Sequence, residues 1–102
     1  MDTPLSFPTL SFRVTGLVQH VWFRGWTQMT AGALGLNGWV RNLSDGSVAG
    51  QAQAADDSEE GGAGLARFRE LLAEGPPTAR VSRVEAELLD LPERFHDFQV
   101  RF

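Results

Sequence analysis

The sequence contains no cysteine, and this absence excludes several kinds of chemistry. A chain without thiols forms no disulfide, offers no thiolate nucleophile, and holds neither an iron–sulfur cluster nor a thiolate zinc site. Its two histidines, His20 and His96, are far apart in the sequence, so we expect no metal site.

Long apolar runs and excess positive charge are also missing. No segment approaches the roughly 20 apolar residues of a transmembrane helix. Residues 1–9 lack the basic start and apolar run of a signal peptide, so we interpret them as a flexible lead-in. The net charge of −4 argues against nucleic acid and anionic membranes as general partners. We therefore expect a soluble cytoplasmic protein with one domain over residues 10–102.

The first predicted elements are a strand and a helix joined by a short loop. Apolar and polar residues alternate over residues 10–15, which is typical of a half-buried strand. Helical spacing follows over residues 22–34, with one apolar stripe expected to be buried. The stripe consists of Phe23, Thr27, Ala31 and Leu34.

The loop between these elements has the features of an anion site. No Ser, Thr, Asp or Asn stands directly before the helix to cap its free N–H groups. Arg24 instead lies at the helix start, where the macrodipole is already positive and a cation is unfavourable unless an anion binds. The combination predicts an oxyanion site, for which phosphate is the best fit.

The remaining segments predict a hairpin, a second helix and two further strands. The acidic and then glycine-rich residues 55–64 are interpreted as a mobile connection with an uncertain helix start. The predicted elements are strands 36–43 and 48–54, joined by a turn at 44–47, a helix over residues 65–74, and strands 80–88 and 98–102.

This order predicts an α+β fold of the ferredoxin-like β-α-β-β-α-β type, with a short C-terminal fifth strand. The two helices should pack against one face of an antiparallel sheet. We expect Trp39 to lie in the core, and the strand at 80–88 to turn Val84, Ala86 and Leu88 inward.

Three stretches of the chain closely resemble the acylphosphatase family. They are Gly16-x-Val18-Gln19-x-Val21-x-Phe23-Arg24, then Ala31-x-x-Leu34-Gly35-Leu36-x-Gly38-Trp39-Val40-Arg41-Asn42, then Asp45-Gly46-x-Val48. A loop that ends in Phe-Arg, followed by a Gly-Trp-Val-x-Asn strand, is a specific pair of motifs. Only residues 1–9 and the glycine-rich connection fall outside the likeness.

The resemblance implies hydrolysis of the carboxyl–phosphate bond of small acyl phosphates without a metal or cofactor. In this family the loop amides and the loop arginine bind the phosphate, and the strand asparagine holds the attacking water. Carried over, the catalytic roles fall on Arg24 and Asn42. The residues expected to contact the phosphate are Gly16, Val18, Gln19, His20, Val21, Trp22 and Phe23. The expected partners are a small acyl phosphate and phosphate ion, and the protein is expected to be a monomer.

Two positions depart from the family pattern. His20 stands where the family usually has glycine, and a left-handed backbone there would strain a histidine. We interpret it as a tolerated substitution that at most adds positive charge, and not as a general base. Leu43 stands where many members have threonine, which removes a hydroxyl that could orient Asn42.

Two alternative functions remain at this point. A catalytically weak anion-binding or interaction module of the same fold would keep Arg24 but would have little reason to keep Asn42. An RNA-binding ferredoxin-like domain needs exposed strand aromatics and a basic face, and the expected inward aromatics and negative charge argue against it. The side chains of Trp22 and Trp26 either cover the acyl group or shield the helix.

Overall fold

Five strands and two helices follow one another in the predicted order. The computed structural model describes residues 6–56 and 58–102, so residues 1–5 of the expected lead-in and Asp57 of the acidic connection lie outside the description. The elements are β1 (Phe7–Leu17), α1 (Phe23–Ala33), β2 (Asn37–Asn42), β3 (Val48–Gln53), α2 (Glu59–Glu74), β4 (Arg80–Leu91) and β5 (Phe98–Arg101). The fold is ferredoxin-like, as the sequence pattern predicted.

The strand directions bring three strand ends together. The five strands lie in the order β4-β1-β3-β2-β5. Both β1 and β2 pair antiparallel with β3, and β5 pairs parallel with β2. Consequently β1, β2 and β5 run in the same direction, and their carboxyl ends lie at the same end of the sheet.

The core lies between one face of the sheet and the two helices. Every second residue of β1 faces this core, and α2 covers it with a buried apolar stripe. The rings of Phe12 on β1 and Phe68 on α2 meet edge to face, with centroids 5.5 Å apart. The buried residues are Leu10, Phe12, Val14, Val18, Phe23, Ala31, Leu36, Val40, Val48, Ala52, Ala54, Leu65, Phe68 and Leu72.

The neighbouring strands β1 and β4 are both longer than expected. β1 begins at Phe7 rather than at Leu10, and β4 continues to Leu91 rather than ending at residue 88. The extra residues pair with each other, as in the partners Phe7 and Leu91. Three residues assigned to the lead-in therefore belong to the sheet, and one of them, Thr9, is fully buried.

The glycine-rich connection is partly helical. α2 begins at Glu59 and so includes three glycines that were expected to lie in a mobile segment. The Ser58 hydroxyl accepts a hydrogen bond from the N–H of Gly61 at 3.2 Å, and Glu59 and Glu60 occupy the first turn. This cap and the favourable charge–dipole interaction start the helix where glycine propensity alone would not.

One expectation about side-chain direction was wrong. Trp39 lies on the open face of the sheet, because Val40 takes the core side of β2. Its Nε1 donates to Gln51 Oε1 at 3.2 Å, and the guanidinium of Arg101 stacks 4.9 Å from its ring. Leu88 does lie on the helix side of the sheet, since it is the register partner of buried Leu10. It nevertheless remains 64% exposed, because β4 is an edge strand in the part of the chain that the structure describes.

Neither helix within residues 6–56 and 58–102 is long and apolar enough to cross a membrane.

Candidate active site

A cavity of about 300 Å³ opens where the carboxyl ends of β1, β2 and β5 meet. It brings together the loop after β1, the start of α1, the end of β2 and the end of the chain after β5. The two predicted catalytic residues, Arg24 and Asn42, both line it. The lining residues are Val18, His20, Trp22, Phe23, Arg24, Gly25, Asn42, Val100 and Phe102.

The loop before α1 forms a concave set of backbone N–H groups. In the described part of the chain, the N–H groups of residues 19–25 donate to no protein acceptor. His20 and Trp22 both have left-handed backbones, with φ of 63° and 62°. Left-handed residues in a tight loop turn neighbouring N–H groups towards one side, which makes an anion-binding concavity. The left-handed backbone that would strain a histidine at residue 20 is therefore present, whereas the one at Trp22 was not anticipated.

Arg24 is oriented by the end of the chain. Its guanidinium donates to the carbonyl of Arg101 at 2.9 Å and stacks 4.5 Å from the ring of Phe102. Among the described residues, no carboxylate forms an ion pair with it. α1 has neither an acidic residue in its first turn nor a side-chain cap. The positive charges of the guanidinium and of the helix dipole therefore reinforce each other beside the cavity.

Asn42 presents a buried acceptor to the same cavity. Its Oδ1 is buried and has no hydrogen-bond partner among the residues that the structure describes. A buried acceptor without a partner costs about 1–3 kcal/mol of stability. A small polar molecule in the cavity, such as water, would satisfy it.

Gln19 ties the loop to the turn between β2 and β3. Its Nε2 donates to the carbonyls of Leu43 at 2.7 Å and Ser47 at 2.9 Å. The turn itself is held by Asp45, which accepts from the hydroxyl and the N–H of Ser47 and pairs with Arg13. Chiefly the hydroxyl, and then the N–H and the guanidinium, hold the pKa of Asp45 below its ordinary value. The Gln19 side chain is thus engaged in fixing the loop beside Asn42.

Three predicted contact residues do not line the cavity. Besides Gln19, these are Gly16 and Val21. Gly16 lies at a bulge of β1, where a Cβ would stand 2.2 Å from the carbonyl oxygen of Arg80. The carbonyl of Val21 accepts from the hydroxyl of Thr78 at 2.8 Å. These contacts hold the ends of the loop in place.

Three lining residues were missed from the sequence: Gly25 at the start of α1, and two at the end of the chain. Val100 and Phe102 reach the cavity from the end of the chain. Their alternation marks a strand but says nothing about which strand it joins. The parallel pairing of β5 with β2 brings them beside Arg24, and no local motif signals that pairing.

Comparison with known proteins identifies one family. The acylphosphatase family model matches residues 10–100. An acylphosphatase of Salinibacter ruber is 42% identical over 92 residues, which cover 90% of each chain. One of Thermotoga maritima is 39% identical and covers 91% of this chain and 96% of that protein.

Solved structures give the same result. An acylphosphatase from Coxiella burnetii superimposes with a TM-score of 0.82 at 36% identity and covers 94% of each chain. One from Bacillus subtilis also gives 0.82, at 30% identity, and covers 93% of this chain and 99% of that one. Relatives this similar over nearly the whole chain favour a hydrolase over a non-catalytic anion-binding module. The chain belongs to the acylphosphatase family and is an acylphosphatase enzyme.

Proposed function

We propose that the protein hydrolyses small acyl phosphates by direct attack of a water molecule, with Arg24 holding the phosphoryl group and Asn42 positioning the water. One observation carries this proposal: Arg24 and Asn42 line the same cavity at the positive end of α1, and the Oδ1 of Asn42 has no partner among the described residues. The products are a carboxylate and inorganic phosphate.

The loop and Arg24 supply the binding of the phosphoryl group. Free N–H groups of residues 19–25 and the guanidinium can donate to the phosphoryl oxygens at once. Charge on these oxygens redistributes as the bond from phosphorus to the acyl oxygen breaks. Donors that are already oriented stabilise that charge without having to reorganise. The bond from Arg24 to the carbonyl of Arg101 supports this role, because it fixes the guanidinium before substrate binds.

Asn42 directs the attack. Its Oδ1 accepts a hydrogen bond from the water, while its amide group can donate to a phosphoryl oxygen. The water oxygen forms a bond to phosphorus, and the acyl oxygen departs with the electron pair as a carboxylate. A phosphoryl oxygen takes the proton of the water. Because a carboxylate is a weak base and leaves without protonation, the reaction needs no titrating side chain.

The choice of substrate and the response to chelation test this proposal. Benzoyl phosphate should be hydrolysed in the presence of EDTA, and phenyl phosphate should react far more slowly. A phenolate leaves less readily than a carboxylate, and no cavity residue is proposed to protonate it. Within residues 6–56 and 58–102, no three His, Cys, Asp or Glu residues lie close enough together to hold a metal ion. Both rates are measured as phosphate release. Comparable rates on the two compounds, or loss of activity that a divalent ion restores, would contradict the proposal.

Replacing His20 with glycine tests whether histidine takes part in the reaction. His20 is exposed and left-handed, with φ of 63°, and a glycine adopts that backbone without strain. We expect His20→Gly to raise the melting temperature by a few degrees, since such strain costs about 1 kcal/mol or more. Turnover should stay within about tenfold, equivalent to ~1.4 kcal/mol. A collapse of turnover with phosphate binding intact would instead make His20 a catalytic residue.

A further inference from the structure

Trp22 has a backbone conformation that is unusual for a tryptophan. Its backbone is left-handed, with φ of 62°, although bulky residues rarely adopt this conformation. Its side chain is 63% exposed, so burial of the indole does little to offset the strain. Strained residues of this kind are concentrated at sites where the chain binds or transforms a ligand. Trp22 lines the cavity that contains Arg24 and Asn42.

The indole of Trp22 occupies space that only a glycine leaves open. It lies against Gly25 in the first turn of α1, where an added Cβ would stand 2.1 Å from the indole Nε1. No other residue would leave room for the ring in this position. The absence of a side chain at residue 25 therefore leaves room for the indole to form a wall of the cavity.

The cavity offers more room and more apolar surface than a phosphate ion requires. Its volume of about 300 Å³ is at the lower end of the range for sites that bind small organic molecules. Val100 and Phe102 line it from β5 and the end of the chain, and Trp22 from the loop. With the phosphoryl group at Arg24 and Asn42, the rest of the substrate must lie against these apolar side chains.

We propose that the indole of Trp22 is the surface on which the acyl group of the substrate packs, and that it favours flat, apolar acyl groups over small ones. This inference rests on the proposed function, since it assumes that the phosphoryl end occupies the loop. An aromatic acyl group can stack on the indole, whereas an acetyl group offers only a methyl. Aromatic contacts of this kind change binding by up to about tenfold.

The test is a ratio of two specificity constants. We would measure kcat/KM for benzoyl phosphate and for acetyl phosphate with the wild-type protein, Trp22→Ala and Trp22→Phe. Trp22→Ala should lower the benzoyl-to-acetyl ratio by about tenfold. Trp22→Phe, which keeps a flat ring, should stay within about threefold of the wild-type ratio. Met29→Ala is the matched control, because Met29 is a similarly exposed apolar residue of α1 that does not line the cavity.

The ratio separates this inference from the function on which it rests. If Trp22→Ala lowers both constants equally, the residue only shapes the loop, so the inference fails while the proposed hydrolysis stands. The inference also fails if Met29→Ala changes the benzoyl-to-acetyl ratio as much as Trp22→Ala does. If the wild-type protein hydrolyses neither compound, the proposed function fails and the inference fails with it.

Discussion

Arg24→Ala is expected to abolish both activity and phosphate binding. Among the described residues that line the cavity, Arg24 is the only arginine or lysine. We expect turnover on an acyl phosphate to fall by about 10³-fold or more, since loss of a single oriented donor already costs 10²–10³-fold. Phosphate at ten times its Kd should stabilise the wild-type protein by about 1.4 kcal/mol, and this stabilisation should disappear. The melting temperature at increasing phosphate concentration measures the second effect.

Arg41→Ala provides the control for this experiment. Arg41 precedes Asn42 on β2 but is exposed on the opposite face of the sheet, where it lies 5.5 Å from the ring of Trp39. Arg41→Ala changes the net charge by the same amount as Arg24→Ala, so a general electrostatic effect would appear in both variants. It should keep its activity and its phosphate stabilisation. If phosphate raises the melting temperature of Arg24→Ala as much as that of the wild-type protein, the loop is not the phosphate site.

Asn42→Ala is expected to separate binding from chemistry. Turnover should fall by about 10²-fold or more, because one oriented polar group at the reacting centre is lost. Most of the phosphate stabilisation should remain, since the loop and Arg24 are unchanged. The rates and the phosphate-dependent melting temperatures are measured on the same preparations. Normal turnover in this variant would place the positioning of the water elsewhere.

Asn37→Ala is the matched control on the same strand. Its Nδ2 donates to the carbonyl of Phe95 at 3.2 Å, at the end of β2 away from the cavity. Removing that bond should lower stability by about 1 kcal/mol and leave turnover unchanged. Asn42→Ala removes an acceptor that has no partner among the described residues, so it should cost less stability than Asn37→Ala.

The order of the elements could be predicted because hydrophobic spacing and turn residues are local signals. The bounds of α2 could not, since three of its first residues are glycines, which have low helix propensity. The packing of Leu65, Phe68 and Leu72 against the sheet stabilises the helix, and this tertiary contribution is absent from a local pattern. In the structure, the hydrogen bond from the N–H of Gly61 to the Ser58 hydroxyl caps the start of the helix.

The direction of Trp39 shows a second limit. Alternation in a strand divides residues between two faces but does not say which face is covered. Trp39 was expected in the core, but the next residue, Val40, takes that side of β2. The covered face is the one that Val40 shares with Val48 and Ala52 of β3. Because Trp39 lies on the open face, the strand aromatics do not all face inward, and the negative net charge is what still counts against an RNA-binding surface.

At the site, the motif indicated Arg24 and Asn42, and the structure places both in one cavity. The motif could not indicate the carbonyl of Arg101 or the ring of Phe102, because both contact Arg24 from a distant part of the sequence. Nor did it indicate that Trp22 shares the left-handed conformation of His20. These features depend on how distant segments meet.

The strand order has a consequence for how copies of the protein behave at high concentration. In the part of the chain that the structure describes, β4 and β5 are the edges of the sheet, and their unpaired backbone groups could template the addition of strands from other molecules. β5 has four residues, too few to offer a long template. β4 has twelve, but it carries charges along its length, which must be desolvated or brought together before a second strand can pair. These charges are Arg80, Arg83, Glu85, Glu87 and Asp90. The sheet is thereby protected against growing into an aggregate through its edges.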